Sequence, residues 1–584
     1  MSADPPHPSP PDAPDAAADP LQQARLLLQQ QRLPEAEPLV REALEREPER
    51  AACWSLLGRL LELKGDLGEA AQVLLQAASL DPSDVDCRTA LGHLFRTMSL
   101  PEEAIHWYGE ALALEPDQLV LHLNHLFVLP IVPISSGQIE QLRQRCLEGL
   151  QPLLRRNGAG ELHLGSQAMT HHPYYLIYHN RDDRPVLEAY GQLLQPHVQA
   201  LAASLPSAGS GGRRGAGGEG RRRIGFLSGF FDFHSNSLAF EGLIRHLDRR
   251  RFEVFVIHLA STRLDQMRER IDACADRSLV LPAHLPKALA QLAALDLDLL
   301  YFTDIGMHPT ATLLACARSA PLQVTGWGVP QTSGLATIDH YISSALAEPP
   351  QADAYYSEQL VRLPDMPCCY LSENLCRQSR SRDYFFLPLD VPLLGCLQSL
   401  WKLHPDFDAV LERLAQRLPQ AWFVFIEARV TTYTDIFLQR LAITAPTLRE
   451  RMVLLSYQSR EDYIALAGCL DLLLDPPYFG SGVTFYDTIH SGTPTLSLEG
   501  PFLRSRVVGA AYRLMGLERP PLVSDVRAYE EEAVRLISDP PALERLRREI
   551  RRHAHRLYDR REGVEAFADF ALGAIEEARA RTDR

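Results

Sequence analysis

Apolar positions follow two different grammars along the 584 residues. Up to about residue 203 they recur at helical spacing, which predicts α-helices throughout that part of the chain. From about residue 221 they gather into short unbroken runs: IGFLSG, FEVFVIHL, LDLLYF, LQVTGW and HYISS, then LLGCL, WFVFIEA, MVLLS, CLDLLLD and PTLSL. Runs of about four to eight apolar residues, separated by helical patterns of about ten or more, predict parallel strands covered on both faces. There are enough runs for two sheets. Residues 221–388 and 389–584 are therefore expected to form two α/β domains, the second ending in terminal helices.

The helical part carries a period. Pro48, Pro82 and Pro116 each close a helical pattern and stand 34 residues apart. Leu57-Gly58 recurs as Leu91-Gly92, Ala36 as Ala70 and Ala104, and Ala43 as Ala77 and Ala111. Small residues at fixed offsets let paired helices approach closely, and with this period they predict tetratricopeptide repeats. Three repeats are expected over 15–116, followed by a helical connecting region over 117–203 that loses the period. That region sets His171, His172 and His179 around Tyr174, Tyr175 and Tyr178. Pro173 breaks helical i, i+4 geometry and no Cys or Asp completes a ligand set, so the segment reads as packing rather than as a metal site.

Composition refines this division. Residues 1–14 are rich in Pro, Asp and Ala and are expected to form a disordered leader, while the Gly, Ser and Arg content of 204–220 predicts a flexible linker. With 59 cationic against 74 acidic residues the net charge is −15, which disfavours nucleic acid as a partner. The basic stretch from Arg545 to Arg561 alternates with Leu and Glu at helical spacing and reads as a solvated helix. Ten scattered cysteines without a C-x-x-C pair are expected to be reduced thiols of a cytoplasmic protein. No stretch reaches about 18 apolar residues and the first residues lack the order of a signal peptide, so no membrane span is expected.

Ligands of doubly wound sheets bind beyond the carboxyl ends of the strands. Four segments follow apolar runs in that way. In the first, His234 precedes Ser235, Asn236 and Ser237, which are good N-cap residues, so the imidazole is expected at a helix mouth where it can accept a proton or donate a hydrogen bond. The second offers Asp304 and His308. The third, residues 326–334, has the Gly, Pro and Thr content of a shaped loop. The fourth, LLLDPPYFGSGVTFYD, runs from a buried strand through Gly480, Ser481 and Gly482 into a helix carrying Thr484 and Asp487. Backbone N–H groups at such a turn suit a diphosphate, and Asp487, one turn later, suits ribose hydroxyls. It is neither a P-loop nor a G-x-G-x-x-G fingerprint. Lys402 in SLWKLHP adds a cation on the same side of the second sheet, matched to a leaving diphosphate.

GFFDFHSNS, GWGVPQTSG, SLWKLHP, LLLDPPYFGSGVTFYD, SGTPTLSLEG and FLRSRV, in that order, resemble the catalytic region of glycosyltransferase family 41, the O-GlcNAc transferase and SPINDLY-like proteins, from about residue 221 onward. The resemblance implies an α-helical tetratricopeptide solenoid followed by an α/β GT-B fold of two Rossmann-like domains, the second binding the nucleotide sugar. It implies that His234 is an active-site histidine, that Lys402 holds the nucleotide diphosphate, that Thr484 binds phosphate and that Asp487 holds the ribose. Gly482-Val483-Thr484 stands where these proteins often have His-Thr-Thr, Tyr463 where they carry a histidine near the base, and Ser399 where they carry glutamine, departures that look like the bacterial branch.

The expected activity is an inverting transfer of a sugar, N-acetylglucosamine, from a UDP-sugar to Ser/Thr hydroxyls of protein or peptide acceptors gathered by the repeats. No cofactor or metal is expected, since no D-x-D motif accompanies the donor loop. His234 and Lys402 are the expected catalytic groups; Lys402, Gly480, Ser481, Gly482, Thr484 and Asp487 the donor-binding ones; Asp304, His308 and Tyr463 further candidates. The alternatives are transfer to Asn, a different nucleotide sugar, or an inactive tetratricopeptide scaffold. Retention of His234, Lys402 and Asp487 together argues against the scaffold.

Overall fold

Helices Pro20–Gln29, Leu33–Arg46, Ala51–Lys64, Leu67–Leu80 and Val85–Thr97 realise the amino-terminal pattern in the computed structural model, which describes residues 19–29, 32–165, 172–206, 220–376 and 378–582. The expected leader, His171 and most of the expected linker lie outside the described residues. The chain divides into two compact units, one ending at Leu94 and the other beginning at Phe95. The boundary falls inside helix Val85–Thr97, so the third expected repeat is shared between them. In the first unit Ala36, Ala43, Ala70 and Ala77 are buried. A Cβ on Gly58 would stand 2.5 Å from Leu74 Cγ, which explains why the recurring Leu-Gly pair admits no larger residue where two helices meet.

In the second unit, helix Pro101–Leu114 buries Ala104 and Ala111 at the same offsets, and helices Leu119–Leu126, Ser136–Gly158 and Arg184–Ser204 form the connecting region. Two sheets follow. The first comprises β1 (Arg222–Ser228), β2 (Phe252–His258), β3 (Arg277–Val280), β4 (Leu299–Phe302), β5 (Leu322–Gly326), β6 (His340–Ser344) and β7 (Gln359–Leu363), in the order β3-β2-β1-β4-β5-β6-β7. The second comprises β8 (Leu393–Gly395), β9 (Trp422–Ile426), β10 (Met452–Leu455), β11 (Leu472–Leu474), β12 (Thr495–Leu498) and β13 (Leu522–Val523), in the order β10-β9-β8-β11-β12-β13. Every pairing is parallel, from Phe226 opposite Val256 in the first sheet to Leu394 opposite Phe423 in the second. Both domains are thus Rossmann-like, and each reverses strand order once, at β1/β4 and at β8/β11.

Three strands escape the apolar runs: β3, β7 and β13. All three are sheet edges, where a strand has one neighbour and tolerates exposed polar residues such as Arg277 and Gln359. The last helix, Glu562–Thr582, departs from the expected domain assignment. It packs on β5 and β7 of the first sheet, with the Phe567 ring 5.7 Å from Tyr301 and 6.3 Å from Phe226. Arg251 to Asp569 at 2.7 Å and Arg579 Nε to Asp298 at 3.1 Å seal the same contact. The terminal helix therefore belongs to the amino-terminal Rossmann-like domain, because that sheet supplies the aromatic surface its Phe567, Ala571 and Ile575 stripe covers. Among the described residues no helix is long and apolar enough to cross a membrane.

Candidate active site

The four segments singled out by sequence meet at the two switch points or beside them. At the first, the loop after β1 leads to His234. The cap of helix Ser235–His246 is His234 itself, its Nδ1 accepting from Asn236 N at 3.1 Å, and not one of the small polar residues that follow. A neutral imidazole that accepts at Nδ1 carries its proton on Nε2, so the free side of this ring donates. Phe230 stacks on the ring at 4.7 Å, and burial holds its pKa below the ordinary histidine value. His308 repeats the device at Pro309–Ala315, with Nδ1 accepting from Thr310 N at 3.2 Å and Nε2 lying 2.7 Å from Ser261 Oγ. Burial takes its pKa down to about 4. Gly229 lies flat on this ring, where any Cβ would collide with it.

Asp304 is fully buried under the β1 loop. Its Oδ2 accepts from Gly229 N at 2.8 Å and Ser228 Oγ at 3.2 Å, and burial raises its pKa to about 7. It holds the loop that carries His234 rather than lining an open surface. The third segment is anchored as its composition suggested: Thr332 Oγ1 and Ser333 N donate to Glu358 at 2.6 and 2.7 Å. Gly334, at φ 72°, presses against the backbone of Leu187, where no side chain would fit. Gly328 faces the site, 2.9 Å separating its would-be Cβ from Asn236 Oδ1.

The second switch point gathers Lys402, Gln398, Thr484 and Tyr463. Lys402 Nζ donates to Gln398 Oε1 at 2.8 Å and to the Gly480 carbonyl at 3.4 Å, and lies 4.8 Å from the centre of the Phe479 ring. Burial lowers its pKa to about 8. Gln398 Nε2 donates to Thr484 Oγ1 at 3.1 Å and to Tyr463 OH at 3.2 Å. The glutamine facing the site is therefore Gln398, one residue before Ser399, which stands where the related proteins carry glutamine. Burial also raises the Tyr463 pKa above its ordinary value.

Beneath them, the buried Asp475 at the end of β11 shapes the glycine-rich loop. It accepts from Ser481 N, Ser481 Oγ and Ser497 Oγ, each at 2.7 Å, and Gly480 packs so tightly on it that a Cβ would collide with the carboxylate. Burial raises its pKa. Gly482 has open space around it and precedes helix Val483–Thr488, whose first turn holds Thr484. Asp487 is buried, both oxygens already engaged: Oδ1 accepts from Tyr370 OH and Arg460, and Arg460 Nε lies 3.4 Å from Oδ2. Arg460 also donates to the Asn374 carbonyl at 2.9 Å.

Gln398, Asp475, Arg460 and Tyr370 were not among the expected site residues. Asp475 carried a readable signal, a carboxylate at a strand end shortly before the Gly480-Ser481-Gly482 turn. The others depend on side-chain direction or on contacts distant in sequence. Between the switch points, Tyr178 packs on Phe479 at 4.7 Å within a cluster that includes Ile177, Val329, Met307 and Trp401. The aromatic segment of the connecting region is thus wedged between loops of both sheets. His172 and His179 are buried within it, each driven down to a pKa of about 3 by burial. Among the described residues no group of three or more His, Cys, Asp or Glu is placed to hold a metal ion.

Residues 210–371 and 372–566 match the family model described as Glycosyl transferase family 41, and residues 21–85 the one described as Tetratricopeptide repeat. An Arabidopsis thaliana protein described as "Probable UDP-N-acetylglucosamine–peptide N-acetylglucosaminyltransferase SEC" is 25% identical over 347 residues, covering 57% of this chain and 35% of that protein. A UDP-glucose:protein N-beta-glucosyltransferase of Actinobacillus pleuropneumoniae is 24% identical over 254 residues, covering 43% of this chain and 40% of that one. The chain spans about a third of the length of the plant relative it matches. A solved structure of a variant O-GlcNAc transferase from Thermobaculum terrenum superposes with a TM-score of 0.70 at 22% identity, covering 97% of this chain and 98% of that one, and shares its fold.

Proposed function

The chain belongs to glycosyl transferase family 41, and from that premise we propose that it transfers a sugar, N-acetylglucosamine, from a UDP-sugar to Ser/Thr hydroxyls of protein acceptors with inversion at the anomeric carbon. The observation that carries the reading is the convergence of Lys402, Thr484 and Tyr463 at the β8/β11 switch point, all held by Gln398. In this reading the acceptor oxygen bonds to the anomeric carbon as the bond from that carbon to the diphosphate breaks. Lys402, the Thr484 hydroxyl and the amides of the first helical turn take up the charge left on the diphosphate, so the reaction requires no metal. Asp487 and Arg460 lie one turn further on, where a nucleoside would follow its diphosphate.

In this reading His234, with Nδ1 occupied by its cap bond, offers Nε2–H as a hydrogen-bond donor that orients the reacting groups. Neither His234 nor His308 presents a free ring lone pair and Asp304 is buried, so the acceptor proton passes to water or to the departing phosphate. The amino-terminal repeats recruit the acceptor, a stacked helical array being suited to extended partners. The test is to incubate the full chain with UDP-N-acetylglucosamine and candidate protein acceptors in chelator, then map the modified residues by mass spectrometry. Added N-acetylhexosamine on Ser or Thr supports the reading. A hexose on Asn favours instead the chemistry named for the Actinobacillus relative, and UDP binding without any product favours an inactive scaffold.

A further inference from the structure

Hydrogen-bond direction around Gln398 is fixed by the chemistry of its partners. An ammonium has no lone pair, so the atom facing Lys402 Nζ at 2.8 Å is the amide oxygen. The amide nitrogen is then committed to the other side, and each of its two hydrogens has one acceptor there, Thr484 Oγ1 at 3.1 Å and Tyr463 OH at 3.2 Å. A hydroxyl that accepts from an amide keeps its own proton for donation elsewhere. Thr484, Tyr463 and Lys402 are all half-buried residues.

We propose that Gln398 is a positioning residue that sets the polarity of this site: by accepting from Lys402 it turns the hydroxyls of Thr484 and Tyr463 into donors toward a diphosphate. The inference rests on the donor-site reading above and adds a residue that the sequence does not single out. A carboxylate in place of the amide would also accept from Lys402, but it would accept from Thr484 and Tyr463 as well, turning both O–H groups inward and adding a negative charge beside the anion.

Calorimetric titration of the full chain with UDP and with inorganic pyrophosphate tests this. Q398E should bind both at least about tenfold more weakly at pH 7, and Q398M, which keeps the length and loses both dipoles, about three- to tenfold more weakly, with melting temperatures near that of the parent. Wild-type binding should weaken above about pH 8 as Lys402 loses its proton, and in Q398E that limb should move to higher pH because the new carboxylate holds the ammonium. Thr484→Val should cost affinity in the wild type and little in Q398M, since the hydroxyl is oriented only while the amide is present. Q398E and Q398M both binding pyrophosphate as the parent does, or losses from Q398M and Thr484→Val that simply multiply, would overturn the assignment. A parent chain that binds neither UDP nor pyrophosphate would instead remove the donor-site reading on which it stands.

Discussion

The two switch points use polar side chains in opposite ways. At β1/β4, His234 and His308 each commit one ring nitrogen to a helix cap, and Asp304 is buried under the loop between them. At β8/β11, Lys402, Thr484 and Tyr463 are tied to one another through Gln398 but stay partly exposed, with donors to spare. The first edge spends its polar groups on capping and anchoring; the second is a set of donors over a buried carboxylate. The contrast teaches that polar residues at a strand end are functional candidates only after their capping and anchoring duties have been subtracted. On that accounting His234 retains one free nitrogen, His308 has both ring nitrogens engaged, and Asp304 is structural.

The sharpest way to break the contrast is at His234, where capping and chemistry are separable. Asn is as good a cap as any residue, so His234→Asn should keep stability, while His234→Ala should lose about 1 kcal/mol in denaturant titration. Both should cut turnover, by about 10²-fold if the imidazole orients the reacting groups. Normal turnover in His234→Asn would place the histidine wholly with the structural edge. Next in size, Lys402→Ala removes a charged donor worth about 1.5–3 kcal/mol, and UDP affinity measured by calorimetry in chelator should fall roughly 10- to 100-fold.

The capping edge makes its own prediction. The Asp304 pKa of about 7 in the fold lies above its unfolded value, so its contribution is fully present at low pH and is lost as pH rises through about 7. Asp304→Asn should remove that slope and, at pH 8, unfold later than the parent by roughly 2 kcal/mol, a difference readable in urea titrations at pH 5 and pH 8. An unchanged slope would mean that the carboxylate is hydrated rather than buried. The smallest expected effect is at Asp487→Asn, which should lower UDP affinity several-fold while leaving inorganic pyrophosphate binding as it was. Equal losses for the two ligands would detach Asp487 from the nucleoside and leave it as a tie between Arg460 and Tyr370.

Much of this is legible in the sequence. The repeats announce themselves because Ala36, Ala70 and Ala104 must stay small at one fixed offset, and most strands do because a central parallel strand buries every side chain. Lys402 and Thr484 could be placed because each follows a strand run. The rest was hidden for definite reasons. Singling out Gln398 requires the direction of side chains in a loop, where no period applies. The ties from Arg460 and Tyr370 to Asp487 join residues 27 and 117 positions apart. An amphipathic final helix reveals that it buries a stripe but not which sheet receives it.

That last helix has a consequence for how the chain is made. β1 and β4 leave the ribosome well before Glu562–Thr582, yet the Phe226 and Tyr301 rings, stacked on each other, are covered by Phe567 of that helix. The earlier-synthesised α/β domain must therefore wait, with part of one face uncovered, until the later one has been completed and the chain has crossed back. Folding of the catalytic half should accordingly finish in a single late step, and the unfinished domain is the species most exposed to aggregation or to a chaperone's grip during synthesis.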